Sequence, residues 1–361
     1  MERISKYQLG SMIILFQIGS TPLFELGIKA NQDAWLVVVT SMLLGLMLLF
    51  LFLAIQRREP EKNLSQLLTQ YFGSFVGKFL LLLYALLFTY EAMRNVRDFG
   101  DLSLFTILPH GPISVIMIIM MTLSIYSVYK GIEVFFRFAE FIVIGVLLFY
   151  LILIIMPFIS GIVHVDRLLP IMEDGIQPVL KNSLVRDIWM PFGQMVVFLM
   201  FWSYLNEKKE MTRTSIQAFF VSGMVVLLSN IINLIVLGPQ LIKISTVPLL
   251  QSVQLIEIVE IFERFDALVI LLFYAGIFIK ATLWYLAALL GLSQLFSIDY
   301  RRFAIPVGAI IYITSLLPSS WQSHLEIGHY VADQLHINQV FIAIIPALLY
   351  MMMLIKPSKK K

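Results

Sequence analysis

The chain of 361 residues contains no cysteine. That removes disulfides, thiolate nucleophiles and cysteine metal sites from consideration. Charge is scarce as well, since Asp, Glu, Lys and Arg make up 14% of residues against 59% hydrophobic ones. A soluble domain typically carries about a quarter charged residues, so this composition points away from water as the main solvent. The net charge of +3 gives no reason to expect a nucleic-acid partner. The five histidines show no metal-ligand spacing, and no nucleophile–base pair, phosphate loop or metal cluster stands out. Neither an enzyme activity nor a cofactor is expected.

What the chain has instead is long apolar runs. A spanning helix needs roughly 20 mainly apolar residues. Such runs fall near 9–28, 33–55, 75–98, 113–130, 136–157, 187–205, 214–238, 264–290, 303–320 and 337–355. Barrel strands are short and alternating, so runs this long favour helices. They fill nearly the whole chain, which reads as one integral membrane domain over 1–361. MERISKYQ leads straight into a full-length run, so no cleaved signal peptide is expected.

Lys and Arg placement orients the spans. With the N-terminus inside, the segments around Arg3/Lys6, Arg57–Lys78, Lys130/Arg137, Lys208–Arg213, Arg301/Arg302 and Lys356–Lys361 are cytoplasmic and hold 17 of the 26 basic residues. Both termini are then expected on the cytoplasmic side. Three connections have structure of their own: an amphipathic cytoplasmic helix at 63–73, a polar external stretch at 166–185, and an external amphipathic helix at 247–262.

A pseudo-repeat fits this order, with halves at about 1–157 and 186–355 joined by an external linker, 158–185. Each half opens on an interrupted span and carries an amphipathic insert between its second and third helices. Five spans is an odd number, so the halves sit inverted, as in transporters whose ligand binds at mid-membrane between broken helices. The expected fold is therefore all-α, with about ten transmembrane helices in a 5+5 inverted repeat, its first and sixth helices broken.

Gly19, Ser20, Thr21 and Pro22 interrupt the first span. Pro22 cannot donate to a carbonyl one turn back, and Gly19 tolerates unusual backbone angles. Ser20 or Thr21 before a proline is also a start signal for a new half-helix, whose free N–H groups suit a carboxylate. An ordinary proline kink is the alternative. In the sixth span Pro191 and Gly193 frame a second break, where freed carbonyls suit an ammonium group. Lys280 lies in the middle of LLFYAGIFIKATLWYLAALL, where a lysine costs roughly 2.5–3.5 kcal/mol on insertion scales. Something must offset that cost: a carboxylate such as Glu91, or freed carbonyls. Lys280 could also stand in for a bound cation or carry a proton.

Tyr84, Phe88, Glu91, Asn95 and Asp98 share one face of the third span. Arg94 through Asp101 are expected to pair among themselves near the outer interface. Trp284, one turn from Lys280, lines a pocket or simply packs. Trp35, Trp202 and Trp321 need only the aromatic-belt explanation.

Several segments together resemble one family. NQDAWL after the first span, PEKNLSQLLTQYFGSFVGK, LPIMEDGIQPVLKNSL and ERFDAL are similar, in order and over essentially the whole chain, to the B subunit of Ger-type spore germination receptors. The resemblance implies the same ten-helix fold, of the LeuT and amino-acid/polyamine/cation type, and a place in the spore inner membrane. It also implies a small nutrient germinant, typically an amino acid, and two partners: an A subunit and a lipoprotein C subunit. The family's pocket would map to Gly19 and Ser20, Tyr84, Phe192, Gly193 and Gln194, and the stretch from Ile279 to Trp284 with Lys280. Two features depart from the pattern: the first break reads IGSTP where a second glycine is usual, and Lys280 stands where small polar residues are common. The germinant's identity is therefore open, and a proton-coupled amino-acid carrier or an ion-conducting receptor subunit remains the alternative.

Overall fold

A computed structural model describes residues 2–256 and 265–356. The described residues are helical, with one isolated β-bridge among them, Ile4 to Leu205, outside the helices. Its α-helices run α1 Lys6–Ile18, α2 Ala34–Arg58, α3 Leu64–Phe72, α4 Ser74–Thr106, α5 Ile113–Lys130, α6 Ile132–Ile159, α7 Gln177–Asn182, α8 Met211–Leu237, α9 Pro239–Ile244, α10 Pro248–Gln254, α11 Phe265–Phe296, α12 Tyr300–Ser315, α13 Trp321–His329 and α14 Ile345–Ile355.

Among the described residues, six helices are each long and apolar enough to cross a bilayer: α2, α4, α5, α6, α8 and α11. The other four expected spans are shorter or irregular. They are α1 with its interruption, the stretch after Pro191, the 16-residue α12 with Pro306 inside it, and a wide-turned segment at Gln339–Ile344 running into α14.

Burial separates lipid-facing helices from central ones. On α6, Phe141, Ile144, Leu148, Leu151 and Ile155 are exposed at helical spacing, an outward apolar stripe suited to lipid contact. α11 is close to enclosed, with Ile277 through Leu289 almost wholly buried apart from Phe278. It packs along α4 and against α1.

The basic segments meet on one face, as the alternation of charge requires. Glu2 accepts from Arg301 at 3.2 Å and from the Ile132 amide at 2.8 Å. Lys6 pairs with Glu207 at 3.4 Å, Lys208 with Glu61 at 3.6 Å, and Arg58 donates to the Met353 carbonyl at 3.1 Å. The α3 insert lies at this face. Asn63 and Gln66 form a capping box at its start, while Leu64, Leu67, Leu68 and Tyr71 bury its apolar side.

Three expectations change. The span expected at 187–205 is not α-helical: Phe192–Met200 is a 3₁₀ stretch, every residue of it buried. Its tighter winding advances about 2.0 Å per residue against 1.5 Å in an α-helix, so it covers depth with fewer residues. The external helix is shorter than 247–262, because α10 ends at Gln254, and 257–262 lie outside the described residues. Trp202 is no belt residue either. It is fully buried and donates from Nε1 to Ser215 Oγ at 3.0 Å.

Candidate functional site

α1 stops at Gly19, whose φ of −29° and ψ of −95° leave the helix. A single 3₁₀ turn, Thr21–Leu23, follows, with Pro22 in it. This corrects the expected half-helix starting at Ser20 or Thr21, since three residues make no helix terminus of useful dipole. Thr21 works backwards instead: its Oγ1 donates to the Gln17 carbonyl at 2.6 Å, covering a backbone acceptor at the C-terminal end of α1.

The break sits directly on α11. A Cβ on Gly19 would stand 2.9 Å from the Gly276 carbonyl oxygen and 3.0 Å from the Lys280 side chain. A Cβ on Gly276 would stand 2.7 Å from the Gly19 carbonyl oxygen. The two backbones touch because neither position carries a side chain.

Lys280, one turn beyond Gly276, is thereby held beside the C-terminal end of α1, whose partial negative charge offsets its own. It is 1% exposed, its ammonium lies 5.6 Å from the Phe16 ring centroid, and it has no hydrogen-bond acceptor. Trp284, also 1% exposed, has no acceptor for Nε1. The expected Glu91–Lys280 ion pair is not formed within 4.0 Å; Glu91 Oε2 instead accepts from Gln194 Nε2 at 3.3 Å.

Aromatic contacts tie the first, third, sixth and eighth spans together here. Trp284 packs against Phe16 with centroids 5.2 Å apart and against Phe88 at 5.4 Å, while Phe16 meets Phe198 at 5.5 Å. The other predicted residues divide. Ser20 is buried at the break itself. Tyr84 is buried, but its hydroxyl is committed, donating to the Phe341 carbonyl at 2.7 Å. Tyr84→Phe is expected to cost about 1–3 kcal/mol by stranding that carbonyl, read as a lower melting temperature. Phe192 turns away from the first break, packing over Gly45 of α2 and against Phe219 of α8. Gly193 sits against Ile342, its amide donating to the Ile188 carbonyl at 2.8 Å. Gln194 faces inward, and its Oε1 is buried with no donor.

A cavity of about 430 Å³ opens from the face opposite the termini. It runs down to Glu91 and Gln194, between the chain that follows the first break and α13. Of the predicted residues only these two line it; Gly19, Ser20, Lys280 and Trp284 lie outside it. Trp321 of α13 is stacked on Phe24 over this cavity, with centroids 5.9 Å apart and planes 8° from parallel. That is a more specific role than an aromatic belt.

Sequence reasoning missed two polar clusters. Glu25, just past the break, accepts from Asn230 at 2.9 Å and Asn233 at 3.0 Å, and Ser252 of α10 donates to Asn233 at 2.9 Å. A carboxylate inside the first apolar run and two amides three residues apart in the seventh were the available signal. The second cluster is His324 Nε2 at 2.8 Å from Asp98 Oδ1, both nearly fully buried. The expectation for Arg94 through Asp101 missed the histidine: Arg97 does pair with Asp101, at 2.7 Å, but Asp98 and Arg94 reach α13.

Comparison with known proteins agrees with this architecture. The profile of the family described as "Spore germination protein" matches residues 3–323. Spore germination protein KB of Bacillus subtilis (strain 168) is 32% identical over 99% of this chain and 96% of its own length. Two solved structures have the same fold at 11% identity. Mhp1, a nucleobase–cation symporter in a closed conformation with bromovinylhydantoin bound, superposes with a TM-score of 0.65, over 95% of this chain and 78% of its own. MhsT in complex with L-phenylalanine gives 0.62 over 99% and 91%.

Proposed function

We build on one fact, that the chain belongs to the spore germination protein family, and propose that it is the nutrient-sensing membrane subunit of a germinant receptor, binding its ligand between the two interrupted spans. The observation that carries this reading is the first break. Gly19 is pressed onto Gly276 and Lys280, with buried unpaired polar atoms of Lys280, Trp284 and Gln194 nearby. Buried polar atoms without partners cost about 1–3 kcal/mol each, and a bound polar molecule would satisfy those of Lys280, Trp284 and Gln194. The solved proteins of this fold carry small molecules.

The ligand biases a two-state equilibrium by binding one conformation more tightly. The cavity above Glu91 and Gln194 supplies the way in, and Phe24 stacked on Trp321 supplies a closure. The partners in this reading are a receptor A subunit and a lipoprotein C subunit, the location is the spore inner membrane, and the termini lie on the core side. The pseudo-repeat halves each contribute one interrupted span. Spores lacking the chain are expected to lose their response to one nutrient and to regain it on re-expression; an unchanged response to every nutrient would contradict the assignment. A second reading, a proton-coupled carrier, is motivated by the buried Lys280 and Glu91 in a transporter fold. Concentrative, pH-dependent uptake into liposomes by the purified chain would favour it.

A further inference from the structure

Among the nine residues of α13 only His324 is buried, at 1% exposed. A surface helix is normally anchored by an apolar stripe, so a histidine in that place asks for a reason. Its Nε2 lies 2.8 Å from Oδ1 of Asp98 on α4, itself 3% exposed. Arg94, one turn earlier on α4, donates to the His324 carbonyl and crosses α13 at Gly328, where a Cβ would collide with the guanidinium. Arg97 donates to the Pro318 carbonyl just ahead of α13. Three side chains of α4 thus grip this helix by polar contacts.

The ends of α13 rest on the two interrupted spans. Trp321 stacks on Phe24, beyond the first break, and meets Phe105 of α4 at 5.7 Å. His329, at the other end, contacts Arg186, ahead of the sixth-span break. Phe24, Arg186, Trp321 and His329 all line the cavity, so α13 closes one side of it between the breaks. Both of its connections leave the α-helical path: 316–320 contains Pro318, and a wide turn, Tyr330–Gln334, follows. Element-terminal residues of this kind absorb the backbone change of a hinge. A helix held by apolar burial must expose that surface to move. One held by Asp98, His324 and Arg94 exchanges its bonds for water, and the groups recover their hydration. We propose that α13 is a lid over the cavity, and that the Asp98–His324 contact, backed by Arg94, is the latch that keeps it seated on both interrupted spans. The proposal goes beyond the receptor reading, since it concerns access to the cavity whatever molecule enters.

A chain without cysteine makes the test direct. Ser245 lines the cavity and its Oγ is buried. Ser245→Cys therefore places a nearly isosteric thiol where a charged methanethiosulfonate reagent reaches it only when the lid lifts. The full chain in lipid nanodiscs is labelled at one reagent concentration, and the rate is read by mass spectrometry. Adding His324→Leu is expected to speed labelling roughly tenfold or more, the scale of a lost buried hydrogen bond to a charged group. Adding His324→Gln instead keeps a side-chain donor for Asp98 and is expected to leave the rate within about threefold of the parent. General loosening is monitored at Ser65→Cys, fully buried on α3 at the opposite face, whose labelling is expected to stay unchanged in His324→Leu. An unchanged rate at the Ser245 position in His324→Leu would overturn the latch, as would a matching rise at the Ser65 position. So would a His324→Gln chain that labels as fast as His324→Leu.

Discussion

Gly19→Trp is expected to raise the nutrient concentration that spores need by roughly 100-fold or more, the scale on which a misplaced binding element costs recognition, while the protein still accumulates in the membrane. The expectation follows from backbone geometry. A Cβ alone would stand 2.9 Å from the Gly276 carbonyl oxygen and 3.0 Å from Lys280. Overpacking by a few atoms typically costs about 1–3 kcal/mol, and an indole cannot be absorbed there without moving the break away from α11. The rest of the bundle does not depend on that contact, since α11 also packs along α4 and α8 is packed on α1 and α2. Dose–response curves for loss of spore refractility, beside immunoblots of the spore membrane, separate lost recognition from lost protein. A normal response at normal abundance would remove Gly19 from the site.

Asp101→Ala is expected to destabilise the chain by roughly 3–5 kcal/mol, because it strands a buried guanidinium. Arg97 Nε and Asp101 Oδ2 are 2.7 Å apart with both side chains about 5% exposed. Arg97 also donates to the carbonyls of Ser315, the last residue of α12, and of Pro318, between α12 and α13. The pair therefore holds the approach to α13, which carries Trp321 over the cavity. The comparison is Glu133→Ala on the exposed Arg137–Glu133 pair, where the distance is a similar 2.6 Å but the side chains are 66% and 43% exposed. There the effect should stay below about 1 kcal/mol. Thermal unfolding of the two variants in the same detergent checks both values; equal shifts would mean that burial does not set the energetics here.

The membrane architecture was legible because its signals are long and redundant. Each bilayer crossing needs a run of apolar residues, and basic residues alternate between faces, so the segments at Arg3, Arg58, Lys208 and Arg301 could be placed together before any coordinates. The first break was legible because glycine and proline act on the backbone directly. The sixth was only half legible: Pro191 marked an interruption, but nothing in FGQMVVFLM announces a 3₁₀ winding, which tertiary packing imposes on residues with ordinary helix propensity. Lys280 stood out because a lone charge in an apolar run has no surface to reach. Its relation to Gly276 and the end of α1 did not stand out, since sequence spacing places residues on a helix face and leaves open which helix that face meets. Glu25 with Asn230 and Asn233, and Asp98 with His324, were missed for the same reason, their partners being more than 200 residues apart.

The central claim is tested most directly by a structure of the chain determined with its nutrient bound. The account predicts ligand density in contact with Gly19, Gln194 and Lys280, enclosed by the Phe16 and Trp284 rings. Density confined to the cavity mouth near Trp321, or on the lipid-facing side of the bundle, would contradict it.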